Sequence, residues 1–463
     1  LKKILFLPMI LLLVLLFAAC SGSDNEVNSG NDDQNNDQNN DQEQNNDEEQ
    51  NNEQSADVPD RDFAAEGLPE YNQAIGDLEE TTLEVWMAAD YIDEAPVQDA
   101  IAEFMEVYPN INVETAGHTW GDMQDQVRLA VNGGAPPDLA HFHAFSMGNQ
   151  GLAEPVDDLW EEWGAEEEFL PGAVDNVTWE GTKYGVPIDI NTTFYLYNTE
   201  MFEEKNLSPP TTLEEFTEVS IEVADLDQGR YGFVPAASTW GLHGWMVSEG
   251  AEILTEEDGE WSTNFTDEKV LDVVKTYTDI ATEHKVGPLP PAQARQSDHP
   301  VAMFGNERAA AIISGPFDIS RIENEFPEMF DKVGTALLPG SGKGSVAGGG
   351  SMFVPKDSEN REASFELMKW IISDKYAIRM ADEMGRHPVK AHMYENELYA
   401  DPLLEPFIET LQHAEQYYLE AFPEANSAYS DAFRNVFDGA DIEEAFTEAQ
   451  EKAEEALARS SNE

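Results

Sequence analysis

The chain has 463 residues, 41% of them hydrophobic, enough for two domain cores. Asp and Glu number 93 against 25 Lys and Arg, a formal net charge of -68; a field of that sign repels polyanions and excludes nucleic acid as a partner. One cysteine, Cys20, excludes an internal disulfide and a cysteine-built metal centre. The acid excess reads as a surface adapted to a salty or alkaline medium, where ions screen the self-repulsion.

Residues 1–20 start Leu1-Lys2-Lys3, run through an apolar stretch broken by Pro8, and end Phe17-Ala18-Ala19-Cys20. A basic start, an apolar run shorter than the ~20 residues of a membrane span, and small residues before a cut site predict an export signal. Phe17-Ala18-Ala19-Cys20 resembles a bacterial lipobox, with Phe where Leu is usual. That resemblance implies cleavage before Cys20, lipid on Cys20, and an extracytoplasmic protein anchored to the outer face of the cell membrane. Residues 21–60 are Ser, Asn, Asp, Gln and Glu with almost no apolar side chain. They cannot bury a core and predict a disordered acidic Asn/Gln-rich tether, drawn here as 21–80.

The folded part is expected from Thr81. Residues 83–88 read as a strand. Val97, Ile101, Phe104, Met105 and Tyr108 follow at helical spacing, stopped by Pro109. Residues 111–115 make a second strand. Met123, Val127, Leu129 and Val131 mark a second helix closed by Gly133-Gly134, and residues 137–142 a third strand. Strands alternating with helices predict a parallel sheet with right-handed crossovers. Ligands of such sheets sit beyond the carboxyl ends of the strands, which picks out residues 89–91, 118–120 and 142–145.

Residues 184–198 are the most informative stretch. They are rich in β-branched and aromatic residues and read as extended chain. Asp189, Asn191, Thr192 and Thr193 interrupt the apolar run. Four polar groups suit a strand that crosses between two lobes under a solvent-filled cleft. Tyr184-Gly185-Val186-Pro187 and Tyr197-Asn198 resemble the first interlobe crossing of extracellular solute-binding proteins of family 1, the carbohydrate receptors of ABC importers, similar to maltose-binding protein. Earlier in the chain, residues 133–138 resemble the family's small-residue turn and Pro-Asp; the resemblance implies a sugar-stacking aromatic at Phe142.

Later segments follow the same layout. Thr212 and Glu215 form a capping box, and Pro210, Thr212 and Glu215 match the family while Leu213 replaces Trp. That helix is expected to bury Leu213, Phe216 and Val223. Residues 239–245 read as a Gly-broken aromatic loop, and residues 270–280 have helical periodicity. Residues 309–317 resemble the family's apolar strand ending Gly-Pro-Trp, with Phe317 in place of Trp. The glycine-rich 341–350 leads into Ser351-Met352-Phe353, where the family returns to the first lobe. A helix over 361–373 and the Gly385-Arg386-His387-Pro388-Val389 loop also match. Asp441 caps a last helix whose Ile442, Phe446, Ala449, Ala453 and Leu457 share a face.

Sugars present hydroxyls around apolar C–H faces, so a receptor needs rings to stack on and planar polar groups to bond the hydroxyls. The candidate rings are Trp120, Phe142, Trp240, Trp245 and Phe317, weighed against core packing. The candidate polar groups are Asp90, Asp189, Asn191, His243, Ser351, Arg386 and His387, weighed against a surface crowded with acids. Gly340-Ser341-Gly342-Lys343-Gly344 is rejected as a phosphate loop, because it lacks the Ser/Thr after Gly-Lys. His141 and His143 lack further ligands nearby in sequence, so no metal is assigned. Asp225, Asp227 and Gly229 depart from calcium-loop spacing.

The expected architecture is α/β, two lobes of the type II periplasmic-binding-protein kind, each a helix-flanked sheet. Residues 81–190 and 348–415 form lobe 1, residues 191–347 and 416–463 lobe 2, with crossings near 191, 348 and 415. The resemblance implies capture of a sugar or oligosaccharide by hinge closure and delivery to the transmembrane subunits of an ABC permease. It implies a monomer with no cofactor and no catalytic residue. The alternatives are a secreted carbohydrate-active enzyme and a surface adhesin. The net charge favours neutral or cationic ligands, unless Arg386 locally admits an anionic polyol.

Overall fold

A computed structural model describes residues 59–257, 259–291 and 298–460. Cys20, the export signal and the tether up to residue 58 lie outside the described residues.

Residues 59–80, drawn above as tether, are folded against the first lobe. Phe63, Leu68 and Ile75 are buried in its core. Arg61 donates to Glu66 at 2.8 Å and forms an ion pair with Glu103. Acidic neighbours masked three apolar anchors spaced too widely to show periodicity.

In β1 (Thr81–Ala88), Leu83, Val85 and Met87 are fully buried while Glu84 is exposed, the alternation of a strand. Helix α1 (Ala95–Val107) buries Val97, Ala100, Ile101 and Phe104 on one face. It leads to β2 (Ile111–His118), α2 (Trp120–Gly133) and β3 (Leu139–Phe142). β2 and β3 pair in parallel with β1, one on each side. In α2, Met123 and Val127 are buried, but Leu129 is 66% exposed. Two positions beyond Val127 lie roughly 200° round a helix, facing away from the core.

The stretch 184–198 is two strands in two sheets. β4 (Gly185–Pro187) completes the first sheet and β5 (Phe194–Asn198) is the centre of the second. β6 (Ala311–Ser314) and β7 (Val333–Ala336) flank β5, both antiparallel. Both faces of β5 are covered. Phe194 and Leu196 pack with Phe304 and Ile312, while Tyr195 packs with Phe216, Phe233 and Trp245. Leu404 and Phe407 also belong to the Phe194 cluster, so a lobe boundary at 415 would cut through it. The last two helices, Pro423–Phe437 and Ile442–Ser460, pack on the Tyr195 side. Phe446, Ala449, Ala453 and Leu457 are buried there, and Asp441 accepts the Glu444 amide at 3.0 Å.

The chain passes between the sheets more than once. Asn191 and Gly348 exchange backbone hydrogen bonds of 3.1 and 2.8 Å. Just before Gly348, β8 (Ser345–Ala347) pairs in parallel with Ala414–Gln416. Just after it, β9 (Ser351–Phe353) enters the first sheet between β3 and β4, antiparallel to both. Gly349 joins them at φ +119°, and a Cβ there would lie 2.2 Å from the Asp189 carbonyl, so only glycine fits. The β8 strand also follows the Gly-Lys-Gly segment where a phosphate loop would need a helix.

Residues 239–249 form helix α3 (Thr239–Glu249), not a loop. Its glycines read as breakers in sequence. In the structure Gly244 allows close approach: a Cβ there would lie 2.2 Å from Thr193 Oγ1. Tertiary contact outweighs the ~1 kcal/mol that each glycine costs a helix. The capping box at 212–215 forms, with Thr212 Oγ1 accepting the Glu215 amide at 3.1 Å. The Glu215 carboxylate bonds the Thr211 amide at 2.8 Å. Phe216 and Val223 are buried as expected, whereas Leu213 is half-buried.

Candidate functional site

A cavity of about 850 Å³ opens between the elements of the two sheets. From the first sheet, the residues at the carboxyl ends of the parallel strands reach it. Asp90 and Tyr91 follow β1, Trp120 follows β2 and His143 follows β3. From the other side come Trp240, in the first turn of α3, and Phe317, in the first turn of α4 (Pro316–Glu325). Arg386 arrives just past α5 (Asp374–Met384). Asn191, Gly349 and Gly350 belong to the floor, where the chain crosses.

The rings are arranged in two groups. Trp240 and Phe317 stand 6.1 Å apart at 50°. Trp240 also leans on the crossing segment, since a Cβ on Gly348 would meet its ring at 2.4 Å. Opposite, Trp120 packs on Phe142 at 4.9 Å and edge-on to His141 at 5.1 Å. Phe142 itself is buried and lines a smaller cavity of about 200 Å³ beside Gln124 and Asn426. It supports Trp120 from behind.

Polar groups fix the floor. Asp189 is buried and accepts the Gly350 amide at 2.7 Å and the Asn191 amide side chain at 3.3 Å. Arg386 donates to Asp90 at 2.9 Å, with its guanidinium 4.5 Å above the Tyr91 ring and 5.5 Å from Phe317. Burial works against the guanidinium charge, but Tyr91, Asp189, Asp90 and Asp318 hold the Arg386 pKa above its ordinary value. Burial pushes Tyr91 well up, with the Asp189 and Asp90 charges adding to it and Arg386 opposing. His141, beneath Trp120, is pushed down to about 3 by burial, then by Arg386 and His143. His143 Nδ1 lies against the Glu420 carboxylate.

Several expected residues lie away from the cavity. Trp245 is fully buried, donates to the Pro339 carbonyl and packs edge-on against Phe216 at 4.7 Å. His243, one turn behind the cavity wall, is buried against Tyr417 at 4.7 Å, and burial takes it down to about 3. Ser351 braces two strands: it donates to the Phe142 carbonyl at 2.8 Å and accepts the Ala144 amide at 2.7 Å. His387 is buried between Tyr399, 3.1 Å from Nδ1, and the Phe407 ring. Burial followed by the Arg386 charge lowers it to about 3. Asp90, Trp120, Asn191, Trp240, Phe317 and Arg386 line the cavity. Tyr91 and His143, which the strand-end rule covers without naming them as ligand residues, line it as well, as do Asp318 and Glu420. Strand ends pointed to the first two; nothing local in sequence marks Asp318 or Glu420. Among the described residues no group of three or more His, Cys, Asp or Glu is placed to hold a metal ion. No helix of the described residues is long and apolar enough to cross a membrane.

The bacterial extracellular solute-binding protein family model matches residues 88–378. A maltotriose-binding protein of Pyrococcus abyssi is 23% identical over 331 residues, 68% of this chain and 68% of that one. A diacetylchitobiose-binding protein of Streptomyces coelicolor is 22% identical over 329 residues, 68% of this chain and 75% of that one. An ABC transporter solute-binding protein of Thermotoga lettingae, solved with α-D-tagatose bound, superposes with a TM-score of 0.74 at 26% identity. That alignment covers 81% of this chain and 100% of the other. The architecture, built on a five-stranded and a three-stranded sheet, is thus the type II periplasmic-binding-protein fold. A family match over well more than half its length shows that the chain belongs to the bacterial extracellular solute-binding proteins.

Proposed function

We propose that the protein is the receptor of an ABC importer and captures a sugar or oligosaccharide in the cavity between its lobes. One observation carries this reading. Trp120 on one side and Trp240 with Phe317 on the other face a common cavity whose floor is the crossing segment at Asn191. Rings on both walls stack on the C–H faces of a sugar, and the polar floor bonds its hydroxyls. Ligand contacts with both walls favour a closed form over an open one, and a permease reads the difference. The relatives named above bind maltotriose, diacetylchitobiose and tagatose, which supports a saccharide ligand. Those relatives are binding proteins, and the protein is proposed to work without catalysis or cofactor.

The lobes divide where the chain crosses, near residues 191 and 348, with 394–411 packing on the second lobe. The protein acts as a monomer outside the cytoplasm, held at the membrane by lipid on Cys20. The site comprises Asp90, Trp120, Asn191, Trp240, Phe317 and Arg386 directly, with Asp189 and Phe142 as supports. A thermal-shift screen against a sugar library, followed by calorimetry and small-angle scattering, tests this. The expected result is saturable binding with ligand-induced compaction. Product formation from a glycan, or no stabilisation by any saccharide, refutes it.

A further inference from the structure

The cavity lining carries more negative than positive charge. Asp90, Glu94, Asp318, Glu325, Glu383 and Glu420 line it against two guanidinium groups, Arg321 and Arg386. Neither cation is left over for an anionic ligand. Arg321 is paired with Glu325 at 3.1 Å. Arg386 is held by Asp90 and stacked on Tyr91. The carboxylates are in excess even after pairing: among the described residues Glu94 has no ion-pair partner, and Glu420 has only His143.

An acidic wall alone proves little in a chain of this composition. The floor supplies an independent observation. Asn191 lines the cavity, is 4% exposed, and its Oδ1 has no hydrogen-bond partner. Its Nδ2 is already committed to Asp189. The orphan atom is therefore an acceptor beside Trp240, since a Cβ on Gly348 would meet Asn191 Oδ1 at 2.3 Å and the Trp240 ring at 2.4 Å. A buried acceptor without a donor is costly and marks where a ligand donor belongs. Carboxylates, an orphan carbonyl oxygen and the faces of Trp240 and Trp120 all attract the same group, a protonated amine.

We infer that the ligand carries a protonated amino group on a polyhydroxyl skeleton: an amino sugar or an oligomer of one, in the free-amine form. This rests on the sugar-receptor reading above and narrows it. Asn191 Oδ1 accepts a ligand N–H or O–H at the floor, Trp240 and Phe317 cover the ring, and Glu94 and Glu420 balance the ammonium charge; Glu383 is already paired with Arg379 at 2.8 Å. Arg386 acts as a fixed counter-ion that keeps Asp90 and Tyr91 in place, so phosphorylated and carboxylated sugars are disfavoured.

The experiment uses three matched series of short β-1,4-linked glucose-type oligosaccharides that differ only at C2. One carries the free amine, one the N-acetyl amide and one the hydroxyl; spermidine serves as an amine without a sugar. Isothermal titration on the whole chain is expected to give the amine series at least about tenfold tighter binding than the hydroxyl series. That preference shrinks as salt shortens the screening length from ~10 Å at 0.1 M to ~3 Å at 1 M. The variant Glu94→Gln narrows the amine-over-hydroxyl ratio. Equal affinity of the amine and hydroxyl series, or tighter binding of the amide series, overturns the inference and leaves the sugar reading standing. Spermidine binding as tightly as the amine oligosaccharides upholds the charge argument and overturns the sugar reading. No binding of any series overturns the proposal as stated.

Discussion

Replacing Gly244 with alanine should destabilise the protein, although alanine is the better helix former. In an isolated helix the change stabilises by ~1 kcal/mol. Here the new Cβ would lie 2.2 Å from Thr193 Oγ1, 3.2 Å from the Val346 nitrogen and 3.3 Å from Ser345 Oγ. Thr193 cannot swing clear. It is fully buried, β-branched and tied to Ser345, whose hydroxyl accepts the Thr193 amide at 2.9 Å and donates to its carbonyl at 2.7 Å. Overpacking of this kind costs about 1–3 kcal/mol, and loosening the Thr193–Ser345 hydrogen bonds adds about 1 kcal/mol. The net expectation is a loss of about 1–3 kcal/mol, with the propensity gain outweighed. Urea unfolding should show a lower midpoint at unchanged slope. Thr193→Ala should restore part of the loss in the double variant, a coupling of about 1 kcal/mol. Because α3 carries Trp240, Gly244→Ala should also weaken ligand binding. A raised midpoint would mean that α3 does not pack on the crossing segment, and the site built on that contact would fall with it.

Trp240→Ala or Phe317→Ala should each weaken ligand binding by at least ~1 kcal/mol through lost ring contact; unchanged affinity by calorimetry removes that residue from the site. Stability should fall on mild acidification. Burial holds His141, His243 and His387 at about 3 in the folded chain, against 6.5 when free. The unfolded chain therefore binds more protons across that window, and stability present above 6.5 is lost as pH falls through it. Each ring contributes a slope of up to ~1.4 kcal/mol per pH unit, so a urea midpoint that is level between about pH 7 and 5 refutes the buried neutral state. With a net charge of -68, the melting temperature should rise with added salt; a melting temperature that ignores salt removes the saline-surface argument.

The sequence by itself determined the alternating strands and helices of the first lobe and the place of the crossing at 184–198. These are local properties: period-2 burial in β1, period-3.6 burial in α1, and a polar break in an apolar run. Asn191 and Asp189 stood out there because polar groups inside a strand need a reason. Only the tertiary structure decided which polar and aromatic groups meet. Trp240 and Trp245 lie five residues apart on one helix, yet one faces the cavity and the other packs under Phe216. The difference is set by where α3 rests on the crossing segment, and no local pattern encodes that contact. The three histidines, Ser351 and the acids Asp318 and Glu420 were likewise assigned by packing between segments far apart in the chain. The folded strap at 59–80 was hidden for the same reason: Phe63 packs edge-on against Trp370, far along the chain, and Tyr71 stacks on Tyr108.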